Sequence, residues 1–236
     1  MNAAASFRRA ITGALPVAVF VCVITGTIAR GGGATAADLA THATTAPDHT
    51  PLDQFLSGLK TLRVTFTQQL VDAHGHKVQS GEGTLVVDRP GRFRWEIRPG
   101  GDEAGQLLVA DGKNLWFYDR DLAQVTVKPA AAALTATPAL LLSGGGDIRQ
   151  TFEVRDLPKQ DGLEWVAVKP KPADADFREA RLGFAGGELR RMLLADKLGE
   201  TATLIFGPAV RNGPVMSSEV EFSPPPGVDV IGTPAG

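Results

Sequence analysis

The 236-residue chain contains one cysteine, Cys22, and it lies inside an apolar leader. The mature protein is therefore expected to have no disulfide and no thiol chemistry. Val21, which precedes Cys22, is bulky. A lipoprotein acylation site resembles a small residue followed by Cys, so no lipid of the protein's own is expected. Histidine is almost as scarce, with four in all. His42 and His49 fall in a polar lead-in, and His74 and His76 flank Gly75 in a predicted turn. Two ligands do not make a zinc site, so neither a metal nor a cofactor is expected. No G-x-S-x-G elbow is present, and Gly144-Gly145-Gly146 is not followed by Lys-Ser/Thr. Serine-hydrolase and phosphate-loop chemistry find no support. Basic charge is also lacking. Without the leader's Arg8, Arg9 and Arg30, the 24 basic residues fall to 21 against 26 acidic ones, a net charge of −5. Nucleic acid is not an expected partner.

What is present begins with an export signal. Arg8-Arg9 forms a positive n-region, Ile11 to Ile24 an apolar h-region, and Ala34-Thr35-Ala36 an A-x-A cleavage site. The h-region is too short for a comfortable membrane span, which needs roughly 20 apolar residues. Residues 1–36 are thus expected to be removed near Ala36, residues 37–50 to be a flexible lead-in, and 51–232 to form one domain. Export implies the periplasm.

Pro51 to Leu59 places Leu52, Phe55, Leu56 and Leu59 at helical spacing, with Thr50 as N-cap and Pro51 at the first position. Strands follow at hairpin spacing. Arg63 to Val71 alternates apolar and polar residues, as does Phe93-Arg94-Trp95-Glu96-Ile97. Leu107-Leu108-Val109 and Leu115-Trp116-Phe117-Tyr118 are continuous apolar runs. Gly81 and Gly83 predict a bend, and Asp161-Gly162 and Gly186-Gly187 predict hairpins. Val220 to Phe222 reads as the last strand, ended by Pro224-Pro225-Pro226. The pattern predicts a mainly β (α+β) fold of ten or eleven antiparallel strands with two or three short helices. Little of the chain is left to cover the sheet's apolar face, so something else is expected to fill it. Which strand face points inward is not set by the pattern.

Two features stand out. Arg89 precedes Pro90-Gly91, a turn signal, and is held at a strand end where its guanidinium can reach several carbonyls. Leu134 to Ser143 is helix-prone, and Leu140-Leu141-Leu142 cannot all face water. It reads as a core helix or as a weakly held lid. Asp102-Glu103 and the pair Asp174 and Asp176 read as solvated loop carboxylates. A hydrolase built on Asp174 and Asp176 would need a base or nucleophile that the pattern does not place.

Taken in order, several stretches resemble the periplasmic lipoprotein carrier family, LolA. They are Val64-Thr65-Phe66-Thr67-Gln68-Gln69, Arg89-Pro90-Gly91-Arg92-Phe93-Arg94-Trp95, Ala110-Asp111-Gly112-Lys113-Asn114-Leu115-Trp116-Phe117-Tyr118-Asp119, Gln124-Val125-Thr126-Val127, Thr137-Pro138-Ala139-Leu140-Leu141-Leu142, and Phe222 with Pro226-Gly227-Val228-Asp229-Val230-Ile231. The resemblance implies an incomplete antiparallel β-barrel with a helical lid. It implies a monomeric, non-enzymatic carrier that binds the acyl chains of lipoproteins. Cargo would come from an inner-membrane ABC transporter complex and go to an outer-membrane receptor lipoprotein. By the same resemblance Arg89 ties the lid to the barrel and Phe93 sits at the cavity mouth. Phe66, Trp95, Leu108, Trp116, Leu140, Leu141 and Leu142 are expected to line the cavity. A carrier of free lipid or glycolipid on the same scaffold is the alternative.

Overall fold

The computed structural model describes residues 49–101, 104–130, 138–144, 148–172, 175 and 177–235. The leader, most of the lead-in, Asp102, Glu103, Asp174, Asp176, Gly145 and Gly146 lie outside them. So does the side chain of Leu140.

Helix α1 (Pro51–Leu56) starts as its sequence dictates. Thr50 accepts the Asp53 N–H on its hydroxyl at 3.2 Å, and the Asp53 carboxylate takes the Thr50 N–H at 2.8 Å. This reciprocal cap satisfies two donors that a helix start leaves open. The helix ends three residues before the apolar spacing does, and Gly58 follows with φ +66°.

Eleven long or medium strands follow: β1 (Thr61–Val71), β2 (Lys77–Asp88), β3 (Arg92–Pro99), β4 (Gln106–Asp111), β5 (Asn114–Asp119), β6 (Gln124–Pro129), β7 (Phe152–Gln160), β8 (Leu163–Pro170), β9 (Phe177–Ala185), β10 (Glu188–Asp196) and β11 (Thr201–Phe206). Two short strands complete the set, β12 (Val210–Arg211) and β13 (Asp229–Ile231). A second helix, α2 (Pro138–Ser143), lies between β6 and β7.

The strands form one unclosed sheet in the order β13-β6-β5-β4-β3-β2-β1-β11-β10-β9-β8-β7, with β12 paired to β1. Every pairing is antiparallel except that of β13 with β6. The hairpin signals hold. Asp161 and Gly162 both have positive φ, at 53° and 74°, as do Gly186 and Gly187, at 60° and 77°. Such turns match the right-handed twist of the strands they join.

Alternation in β1 places Leu62, Val64, Phe66 and Leu70 on the buried face and Arg63, Thr65, Thr67 and Gln69 on the exposed one. The buried row joins Leu85, Val87, Phe93, Trp95, Val166, Leu182, Phe184 and Leu204 in the main core. Among the described residues the core has more cover from the chain itself than the sequence reading expected. Leu52 and Phe55 of α1 and Ala139, Leu141 and Leu142 of α2 fill it, each at most 1% exposed. Helix α1 packs on β8 and β9, and α2 on β2 and β3.

Two further expectations are corrected. Val220 to Phe222 is not a strand, and the proline run does not end the last one. After β12 the chain runs over the outer face of the sheet, where Glu219 pairs with Arg63 at 2.6 Å. Beyond the prolines it adds β13 to β6. On the way Phe222 and Val228 cover a second apolar cluster of Leu107, Val109, Trp116, Val125 and Val127. Strands β4 and β5 are thus covered on both faces, which is why they read as continuous apolar runs.

Gly83 shows how close the inner packing is. It lies opposite Phe66, and a Cβ there would sit 2.3 Å from both the Phe66 ring and the Glu96 carbonyl oxygen. Gly83→Ala is expected to destabilise the fold by roughly 1–3 kcal/mol through overpacking. Urea denaturation checks this, and an unchanged midpoint would contradict it.

Candidate functional site

The helix-covered face of β1 to β3 is the candidate binding site, and the turn between β2 and β3 controls its rim. There the Arg89–Pro90 peptide bond is cis and Gly91 has φ +75°. The Arg89 N–H donates to the Lys60 carbonyl at 2.8 Å, and the Gly91 N–H to the Ser143 carbonyl at 2.7 Å. Asp88 and Arg92 flank the turn and form an ion pair.

The Arg89 side chain reaches both helices. Its Nε and Nη2 donate to the Gly144 carbonyl at 3.0 and 2.5 Å, just past the end of α2. Its Nη1 donates to the Leu56 and Leu59 carbonyls at 3.1 and 3.4 Å, at the end of α1. Carbonyls at helix ends have no partner within the helix, so a cation placed there is favoured. Burial lowers the Arg89 pKa from its ordinary value, but a guanidinium stays charged in a protein. Among the described residues it makes four hydrogen bonds to three carbonyl oxygens and no ion pair with a carboxylate.

The other end of α1 is held by a second arginine. Arg149, just after α2, makes a bidentate pair with Asp53, with Nη1 to Oδ1 at 2.8 Å and Nη2 to Oδ2 at 2.7 Å. The Arg149 guanidinium, helped by Thr50, holds the Asp53 carboxyl well below the usual carboxylate range. A third arginine, Arg211 of β12, donates to the Phe55 carbonyl at 2.8 Å and lies 4.6 Å from the centre of its ring. The sequence reading missed Arg149 and Arg211. The N-cap Thr50 was visible in it, but Asp53 was not singled out, and Arg149 lies 96 positions from Asp53.

Most of the expected lining residues come together. Phe66 packs edge-on to Trp95, with ring centroids 5.3 Å apart, and to Phe206 at 5.9 Å. Phe93, Leu141 and Leu142 are fully buried in the same core, and Leu108 packs against it. Phe93 is covered rather than placed at an open mouth. Trp116 does not belong to the set. It pairs in register with Val109, faces the opposite side of the sheet and packs on Phe222, 5.7 Å between centroids.

Two clefts of about 550 and 340 Å³ lie near β1 and β2, and both are lined by Thr67, Glu82, Arg98 and Ile205. Thr67, Glu82 and Arg98 give both clefts polar groups, and Ile205 adds an exposed apolar one. The apolar face itself is occupied by the protein's own side chains.

The remaining candidates are remote or exposed. His74 and His76 are 80% exposed or more and share Asp72, with His76 Nδ1 3.2 Å from its carboxylate. Among the described residues no group of three His, Cys, Asp or Glu could hold a metal.

Fold and site together define an unclosed β-sheet protein whose apolar face is covered by short, tethered helices. Comparison with known proteins gives this class a family. The model of the family "Outer membrane lipoprotein carrier protein LolA" matches residues 57–223. A protein from Dechloromonas aromatica called outer-membrane lipoprotein carrier protein is 40% identical over 182 residues, covering 77% of this chain and 86% of its own. One of the same description from Chromobacterium violaceum is 40% identical over 180 residues, covering 76% and 85%. The chain belongs to the LolA family.

The tethers generate two expectations. Arg89→Leu removes charge-assisted bonds worth roughly 1.5–3 kcal/mol each. Amides of α1 and α2 should then exchange at least tenfold faster by mass spectrometry, with the β8–β9 amides little changed. Equal protection in both proteins would make Arg89 a surface arginine. The second concerns pH. The folded-state pKa of Asp53 is depressed, so its contribution is present above the unfolded value of ~3.9 and is lost as pH falls below it. Thermal stability of the wild type should fall more steeply from pH ~5 to ~2 than that of Asp53→Asn. Parallel curves would contradict the pairing.

Proposed function

We propose that this protein is a periplasmic carrier for the acyl chains of lipoproteins. It takes them from an inner-membrane ABC transporter complex and passes them to an outer-membrane receptor lipoprotein. The observation that carries this reading is the pair of six-residue helices that fill the apolar face and are tied down through Arg89. Family membership supports it, because the relatives bear the name of carriers.

The energetics fit such a cycle. Water rejects an acyl chain by ~0.8 kcal/mol per CH₂, so several chains of fatty-acid length sum to tens of kcal/mol. Free diffusion of a lipoprotein through water is then negligible. A permanently open apolar cavity would hold such a load too tightly to release it. Here the load competes with Leu52, Phe55, Leu141 and Leu142, whose burial is worth ~1.5–3 kcal/mol each, or roughly 6–12 kcal/mol together. When cargo leaves, the helices return to the face and recover that burial. Release therefore needs no nucleotide at this protein, only a better acceptor. Arg89 contributes to the balance, because it is bonded at the ends of both helices, while Arg149 and Arg211 add to the hold on α1. The expected monomeric state agrees with a face that each chain covers with its own helices.

The test is direct. Protein purified from the periplasm of cells that make the transporter complex and its lipoproteins should carry acylated protein, detected by intact mass spectrometry. Recovery without any acylated companion, with those partners present, would contradict the carrier reading.

A further inference from the structure

The three tryptophans differ in one respect. Trp116 Nε1 donates to the Asp111 carboxylate at 2.7 Å, and Trp165 Nε1 donates to the Gln160 carbonyl at 3.1 Å. Trp95 Nε1 is buried and has no acceptor. The residue is 7% exposed and stands on β3 between Leu85 and Leu108 in register, with the Phe66 ring against it. A buried donor left unpaired costs roughly 1–3 kcal/mol. A Phe at this position would fill most of the same volume without that cost.

Among the described residues, three other buried side-chain atoms lack a partner: Ser143 Oγ, Asp156 Oδ1 and Glu200 Oε2. The Asp156 and Glu200 oxygens belong to carboxylates on β7 and on the turn between β10 and β11, away from β3. Ser143 belongs to α2, the element that must move. Trp95 belongs to the sheet and stays behind when the helices leave, surrounded by the apolar groups that would receive an acyl chain.

A hydrocarbon chain offers no acceptor to an indole N–H. The linkage that joins a fatty chain to its head does, through its carbonyl oxygen. We infer that the Trp95 indole N–H donates a hydrogen bond to the ester carbonyl of a glyceryl-linked fatty acyl chain lying on the apolar face. This rests on the carrier reading above and adds to it a chemical class and a depth of insertion. The chain enters until its ester reaches Trp95, so that residue positions the head group relative to the rim. It also separates acyl esters from plain hydrocarbon, which has no acceptor, and from ether-linked chains, whose oxygen lies one atom nearer the head group than the carbonyl and leaves the donor unpaired at that depth.

The experiment compares a diacylglyceryl-cysteine lipopeptide with its dialkyl-ether counterpart of equal chain length, titrated calorimetrically into the full chain. The wild type should bind the ester at least fivefold more tightly than the ether. Trp95→Phe should weaken the ester by about fivefold, the effect of one hydrogen bond, and change the ether by less than twofold. Equal weakening of both, or of neither, would assign Trp95 to packing alone and overturn the inference while the carrier reading stands. Wild-type protein that binds neither ligand would overturn the carrier reading and this inference with it. A readout that needs no variant at Trp95 is its indole ¹⁵N–¹H resonance in the wild type, assigned with Trp116→Phe and Trp165→Phe. It should move downfield with the ester and stay in place with the ether; an identical response to both would overturn the inference. Diacyl phosphatidylglycerol forms a last arm. Trp95 dependence there as well extends the class to free lipids, and dependence with the lipopeptide alone confines it to the protein-linked anchor.

Discussion

Four hydrogen bonds from one guanidinium hold the covered state together. Arg89 is placed by a turn whose own backbone is bonded to Lys60 on one side and to Ser143 on the other. From there it reaches the carbonyls of Leu56, Leu59 and Gly144. Each helix is only six residues long, too short to be stable by itself. Their persistence therefore depends on packing and on tethers at their ends. Arg89 is the tether shared by both, while Arg149 and Arg211 hold α1 alone at its cap and at Phe55. Loss of the Arg89 bonds would loosen both helices at their ends, while α1 would keep Arg149 and Arg211.

The filled interior changes what kind of container this is. A rigid cavity would be empty or wet when unloaded. Here the sheet keeps its apolar face dry by docking residues of the same chain on it. In the proposed carrier, guest and helices would compete for the same surface, and affinity would be the difference between two similar burials. In that reading an oily binding face exists without a large exposed patch.

Much of the fold was legible because its signals are local. Hairpin turns at Asp161-Gly162 and Gly186-Gly187, the cap at Thr50 and the alternation of β1 depend on residues within a few positions of one another. The role of α1 as a cover was not legible, because its apolar stripe says only that it packs somewhere. Trp116 was misplaced for a related reason. In Leu115-Trp116-Phe117-Tyr118 every residue is apolar or aromatic, so period two is lost, and only the pairing with Val109 decides its face. The C-terminal run misled through its prolines, which end a strand in most contexts and here precede one. Arg89 was singled out by its turn, but its acceptors come from two segments far away in sequence. Asp53 and Arg149 meet only in the folded chain.

The central claim is that the face now held by Leu52, Phe55, Leu141 and Leu142 is the face that receives acyl chains. A crystal structure of the protein loaded with a diacylated lipopeptide tests it most directly. The account predicts acyl density against Phe66, Phe93 and Trp95, with α1 and α2 displaced and Arg89 parted from Gly144. Acyl chains found elsewhere, with both helices still seated and Arg89 still bonded to them, would contradict it.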